Sequence, residues 1–135
     1  MPTISTTYKG DLRCESTHIK SGNVLLTDAP TDNNGKGEAF SPTDTLAAAL
    51  GTCMVTIMGI KARDLSVSID GTAIDVTKIM EQNPRRVGEV VIEINVANST
   101  LDDKQKQLLE SAALNCPVAK SVHPNLIQTV RFNYP

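Results

Sequence analysis

The chain is expected to be an α+β protein with a largely antiparallel sheet and one long helix. Three observations predict this. Extended stretches open the chain and recur after residue 64. A helix start of unusual clarity stands at Ser41-Pro42-Thr43-Asp44. No regular βαβ alternation runs through the chain, which favours an antiparallel sheet with helices gathered to one side.

The elements follow in order. Residues 3–27 read as extended, and Ser21-Gly22 makes a turn before Val24-Leu-Leu, so a hairpin is expected. Residues 28–41 form a polar loop crowded with turn formers, in which Gly35-Lys36-Gly37 reads as a flexible turn. Ser41 can cap the helix, Pro42 suits its first position, and Asp44 favours the positive end of its dipole. Leu46, Leu50, Cys53, Met54, Ile57 and Ile60 then recur at three- and four-residue steps, giving an apolar stripe that ends near Arg63. Leu65, Val67 and Ile69 alternate with polar residues, and Ile74 and Val76 resume the pattern after Asp70-Gly71. That predicts a strand with a bulge. Val90, Ile92, Ile94 and Val96 form the cleanest alternation, so residues 76–94 are expected to be a hairpin turning at Asn83-Pro84. Ser99-Thr-Leu-Asp-Asp103 resembles a capping box, with Asp for Glu, before a helix ending near Asn115. Cys116-Pro117 restarts helix, Pro124 ends it, and Leu126–Tyr134 is a closing strand.

Composition narrows the function. With 135 residues the chain is long enough for one domain, residues 1–135, with its own core. A net charge of −2 with scattered Lys and Arg argues against nucleic acid and against anionic membrane surfaces. Four aromatic residues, Tyr8, Phe40, Phe132 and Tyr134, offer no stacking platform. The N-terminus has no apolar signal core, and the uncharged run between Asp44 and Lys61 is 16 residues, short of the roughly 20 a bilayer span needs. A cytoplasmic protein is expected, in which three cysteines mean reduced thiols or redox chemistry.

The candidate chemistry lies in Cys53 and Cys116. A thiol reacts as thiolate, and an ordinary one is mostly protonated at neutral pH. Cys53 lies too deep in its helix for the dipole to help, so it needs a cation from elsewhere. Arg13 is the candidate, oriented by Glu38 or Asp44 through a two-pronged hydrogen bond. Cys116, at a cap before Pro117, is expected to accept backbone N–H groups, which favours its thiolate. If the two meet, one thiol can reduce a peroxide and the other can close a disulfide on it. The bland alternative is that both merely fill space. Cys14 reads as structural. No metal-ligand spacing joins the cysteines to His18 or His123, and no nucleotide motif is present, so neither metal nor cofactor is expected.

Ser41-Pro-Thr-Asp-Thr-Leu-Ala-Ala-Ala-Leu-Gly-Thr-Cys53 and Asn115-Cys-Pro-Val-Ala-Lys-Ser-Val-His-Pro124 resemble the paired cysteine motifs of the OsmC/Ohr family, the osmotically inducible and organic hydroperoxide resistance proteins. Tyr8–Cys14 and Gly35–Pro42 look like its OsmC-like branch. The resemblance spans nearly the whole chain. It implies an intertwined homodimer with two interface sites, in which a long central helix lies against a curved, mainly antiparallel sheet, and a peroxidase that reduces organic hydroperoxides at the expense of an external dithiol. It makes Cys53 the peroxidatic cysteine, Cys116 the resolving one and Arg13 the activating arginine. One departure stands out: Thr43 occupies the position where the peroxidase branch has glutamate. Asp44, one place on, points about 100° away around the helix. The rival readings are a redox-silent dimer that binds a small apolar ligand, and a disulfide-exchange protein acting on other proteins.

Overall fold

The computed structural model describes residues 1–135 and divides the chain into two compact units, Met1–Leu46 and Ala47–Pro135. The architecture is α+β, with a three-stranded sheet in each unit.

In the first unit β1 (Ile4–Gly10), β2 (Arg13–His18) and β3 (Val24–Asp28) form an antiparallel sheet in that order. Two hairpins stand where one was expected. The turn missed from sequence is Asp11-Leu12, both left-handed at φ 53° and 63°. Gly10-Asp11 is a local signal for it, since both residue types favour turns, whereas a leucine in the left-handed region is announced by nothing in its side chain. The second turn closes as expected, with Gly22 N–H on the His18 carbonyl at 2.8 Å. The loop to residue 41 is tightly held, not flexible. A Cβ at Gly35 would collide with the Ala29 carbonyl, and Gly37 N–H bonds that carbonyl at 3.2 Å. Phe40 then bridges Thr27 and leads into the helix.

The helix α1 (Pro42–Asp64) begins where its signals say. Ser41 N–H donates to Asp44 Oδ2 and Asp44 N–H to Ser41 Oγ, each at 3.0 Å, a reciprocal capping box. Its end is equally local: Val67 N–H reaches the Ala62 carbonyl and Ser66 N–H the Arg63 carbonyl, with Ser66 left-handed at φ 57°. That is a Schellman termination.

The core lies in the second unit. β4 (Ala73–Glu81) pairs antiparallel with β5 (Arg86–Asn95), and β6 (Ile127–Asn133) pairs with β5 in parallel. The alternation expected of β5 is present: Val90, Ile92, Ile94 and Val96 are buried. The parallel β6 corrects the expectation of no βαβ unit. Segment 96–126, with α2 (Asp103–Leu114) and α3 (Pro117–Ser121), is the crossover that a parallel pair requires. The cap of α2 sits one turn later than expected, with Asp102 and Gln105 exchanging bonds of 2.8 and 3.0 Å. Residues 65–72 are a loop rather than a strand. Leu65 and Val67 pack against the core and Ile69 is buried, so their alternation reflects separate anchors and not a ladder.

The buried stripe of α1 is Ala47, Leu50, Gly51, Met54, Met58 and Ala62. Of the expected stripe, Leu50 and Met54 are buried, Cys53 and Ile57 are half-buried, and Leu46 and Ile60 are exposed. The helix is apolar on more than one face, so periodicity found a stripe without selecting the inward one. An 18-residue window of α1, mean hydropathy 1.5, would by length and composition cross a membrane. Its packing on β4 shows the other use of such a helix: at Gly51 the backbone comes so near the sheet that an added Cβ would lie 2.8 Å from Val76 Cγ2.

Candidate functional site

The second unit brings Cys53 and Cys116 together. Cys53 is half-buried in the third turn of α1, at the margin of the core. Cys116 is fully buried and is the N-cap of α3. Pro117 fixes the first helical position, and Cys116 Sγ accepts the Ala119 N–H at 3.4 Å. Burial pushes the Cys116 thiol above its ordinary pKa. The Ala119 N–H opposes this, and a hydrogen bond with the Cys53 thiol adds to it. This corrects the expectation that the cap makes Cys116 a thiolate: loss of water outweighs one long N–H···S contact. Both thiols are free, and Cys53 is near enough to affect the titration of Cys116, so the chain carries a reduced pair of neighbouring thiols.

The first unit assembles the cationic element. Arg13 opens β2 directly opposite Asp28, the last residue of β3. Its Nε donates to Asp28 Oδ1 at 2.7 Å and its Nη2 to Asp28 Oδ2 at 2.8 Å. The same Nη2 reaches Glu38 Oε1 at 3.1 Å, and Glu38 N–H donates to Asp28 Oδ2 at 3.2 Å. Asp28 is 1% exposed. The Arg13 hydrogen bond holds its carboxyl below the usual range against the opposing effect of burial, and Arg13 is correspondingly raised. These bonds engage one edge of the guanidinium and leave Nη1 unused within the sheet and its loop.

Of the two acidic candidates, Glu38 therefore contacts Arg13, as a second partner. Asp44 has its carboxylate on the Ser41 N–H in the helix cap. The principal anchor, Asp28, was missed from sequence. The signal that would have found it is the β2–β3 register, in which Arg13 and Asp28 stand equally far from the turn. Cys14, half-buried between Tyr8 and Thr27 on neighbouring strands, contacts neither cluster by register. His123 Nδ1 accepts the Asn125 N–H at 3.0 Å, a local turn. No group of three His, Cys, Asp or Glu side chains is arranged to hold a metal.

A family model described as OsmC-like protein matches residues 35–130. Among solved structures, a provisionally named osmotic stress induced and detoxification response protein from Psychrobacter arcticus is 53% identical. It covers 98% of this chain and 96% of its own, with a TM-score of 0.95. An organic hydroperoxide resistance protein OsmC from Legionella pneumophila is 16% identical over 96% of this chain and 94% of its own, TM-score 0.73. A Vibrio cholerae protein, provisionally named for organic hydroperoxide resistance and holding captopril in one active site, is 21% identical over 98% and 92%, TM-score 0.75. No curated protein matches the chain.

Proposed function

The chain belongs to the OsmC-like protein family, and from that premise we propose that it is a cysteine-based peroxidase for organic hydroperoxides. The observation that supports the reading is that two free thiols share the second unit near enough to influence one another, Cys53 at the margin of the core and Cys116 buried at a helix cap. The Psychrobacter relative, named for detoxification response, supports a stress-defence setting.

The chemistry closes in three steps. The Cys53 thiolate attacks the terminal peroxide oxygen, the O–O bond breaks, and the alkoxide leaves and takes a proton as the alcohol. Cys53 is now a sulfenic acid. The Cys116 sulfur attacks the Cys53 sulfur, its proton joins the departing hydroxyl as water, and a disulfide forms. An external dithiol then reduces the disulfide by exchange and is itself oxidised. Water is scarce around Cys116, so its proton stays on the sulfur until the sulfenic acid forms, which reserves the first attack for Cys53.

In this reading Arg13 is the cation that stabilises the Cys53 thiolate and the peroxide oxygens, with Asp28 and Glu38 fixing its orientation. Thr43 is then no obstacle, because the carboxylate that holds the arginine comes from β3 and not from the helix start. The substrate's alkyl part would lie along the half-buried and exposed apolar side of α1, at Ile57 and Ile60.

The functional molecule in this proposal is a cytoplasmic homodimer of one-domain chains. Support comes from the first unit, where only Asp28 and Ser41 are buried, while Ile4, Tyr8, Val24, Leu25, Leu26 and Phe40 are at least 41% exposed. A three-stranded sheet needs a covered apolar face to be stable, and a second copy would provide one.

The test is consumption of an alkyl hydroperoxide with a dithiol as reductant. Cys53→Ser should abolish turnover, and Cys116→Ser, assayed without added thiol, should consume at most about one equivalent per chain before stalling as sulfenic acid. Undiminished turnover by the Cys53→Ser protein would end the proposal.

A further inference from the structure

Gln128 is a half-buried polar side chain on the row of β6 that Val130 and Phe132 share. It stands across from Val90, which is 1% exposed, and its neighbours on the row, Val130 and Phe132, pack on the core. A half-buried amide in such a row normally has a hydrogen bond to justify it. Gln128 Nε2 donates to the Ala119 carbonyl at 3.0 Å. Ala119 is also the residue whose N–H donates to Cys116 Sγ at 3.4 Å.

The helix α3 has five residues, far below the roughly 12–15 at which an isolated helix begins to hold in water. The three carbonyls that precede Ala119 are met from inside the segment. Cys116 accepts from Lys120 N–H, Pro117 from Ser121 Oγ and Val118 from Val122 N–H. Ala119 is met from β6. The Gln128 bond thus ties the turn that holds the sulfur to the most buried sheet of the fold.

We propose that Gln128 is a positioning residue for disulfide closure: by pinning Ala119 to β6 it keeps the Cys116 sulfur aimed at Cys53. This rests on the Cys53–Cys116 cycle proposed above. In the step concerned, the Cys116 sulfur bonds to the Cys53 sulfur, the group on Cys53 leaves, and the Cys116 proton leaves with it. A Cys116 free to swing with α3 would make that attack less often, while the first attack by Cys53 would be untouched.

Closure can be isolated without peroxide. Oxidised glutathione forms a mixed disulfide on Cys53 and releases one glutathione, and Cys116 then displaces the second. Release of the second glutathione is compared in the parent protein, Gln128→Leu and Gln128→Glu. Loss of one hydrogen bond predicts closure roughly two- to tenfold slower in Gln128→Leu, with first-step release at the parent rate. The carboxylate of Gln128→Glu lacks a donor at neutral pH but regains one when protonated. Its closure rate relative to the parent should therefore recover as pH falls through the carboxyl range, a signature that loosened packing would not give. Closure at the parent rate in both variants would overturn the inference. So would slow closure in Gln128→Glu with no recovery at low pH. Failure of the parent to consume hydroperoxide, with closure from glutathione still sensitive to Gln128, would sink the peroxidase reading and leave this one standing.

Discussion

Gly51 and Gly59 lie eight residues apart on α1, about 80° from one another around its axis, and the same substitution at each should affect stability differently. In a helix interior, alanine is favoured over glycine by about 1 kcal/mol. At Gly59 a new Cβ meets nothing within 4 Å, so that gain should appear whole. At Gly51 the new Cβ would lie 2.8 Å from Val76 Cγ2 and 3.1 Å from Ile74 Cδ1. Carbon pairs sit best at about 3.5–4.0 Å, so α1 or β4 must give way. Overpacking of this kind costs about 1–3 kcal/mol. The helix term is common to both variants, so the difference between Gly59→Ala and Gly51→Ala isolates the overlap at about 1–3 kcal/mol. For a chain of this length that is a gap in melting temperature of roughly 4–12 °C. Thermal unfolding followed by circular dichroism, at one fixed protein concentration, measures it. Gly59→Ala should melt above the parent and Gly51→Ala below or near it. Equal upward shifts would refute the close approach of α1 to the sheet.

The remaining predictions concern Arg13 and the assembly. Asp28→Asn removes the two-pronged anchor, and displacement of Arg13 by about 1 Å should slow the peroxide step roughly ten- to a hundredfold without changing disulfide closure from glutathione. The same variant tests the acid limb of stability. Asp28 is depressed in the folded state, so its contribution is present above the unfolded value of about 3.9 and is lost as pH falls through the lower folded value. Parent and Asp28→Asn should therefore differ in urea stability at pH 6, begin to approach each other only below about pH 4, and converge as pH falls through the lower folded value; curves that never differ would show that the pair adds nothing. The dimer predicts a sedimentation mass of twice the 14.5 kDa chain, with Leu25→Asp shifting it toward the monomer. A monomer at micromolar concentration in the parent protein would remove the assembly from the proposal.

Features decided within a few residues were legible in the chain itself. The Ser41-Pro42 start of α1, the alternation of β5, and the Cys116-Pro117 cap each depend on neighbours no more than four positions away, and each stands where it was expected. The α2 cap was misplaced by one turn, because Ser99 and Asp102 both satisfy the local rule and Gln105 decides between them. The alternation at 65–69 misled for a related reason. Apolar residues spaced by two serve a loop that dips into the core as well as they serve a strand, and the Schellman bond from Val67 to Ala62 spends the backbone that a ladder would need.

The sequence by itself determined that two cysteines stand at fixed places on helices, one inside an apolar helix and one at a cap, because helix and cap signals are short-range. Only the packing of distant segments set which side of α1 faces the core, that β6 runs parallel to β5, that Asp28 is the carboxylate opposite Arg13, and that burial raises the Cys116 thiol above its ordinary pKa. Those outcomes depend on strand register and on how much water remains around a group. Both are sums over residues far apart in the chain, and no local pattern records them.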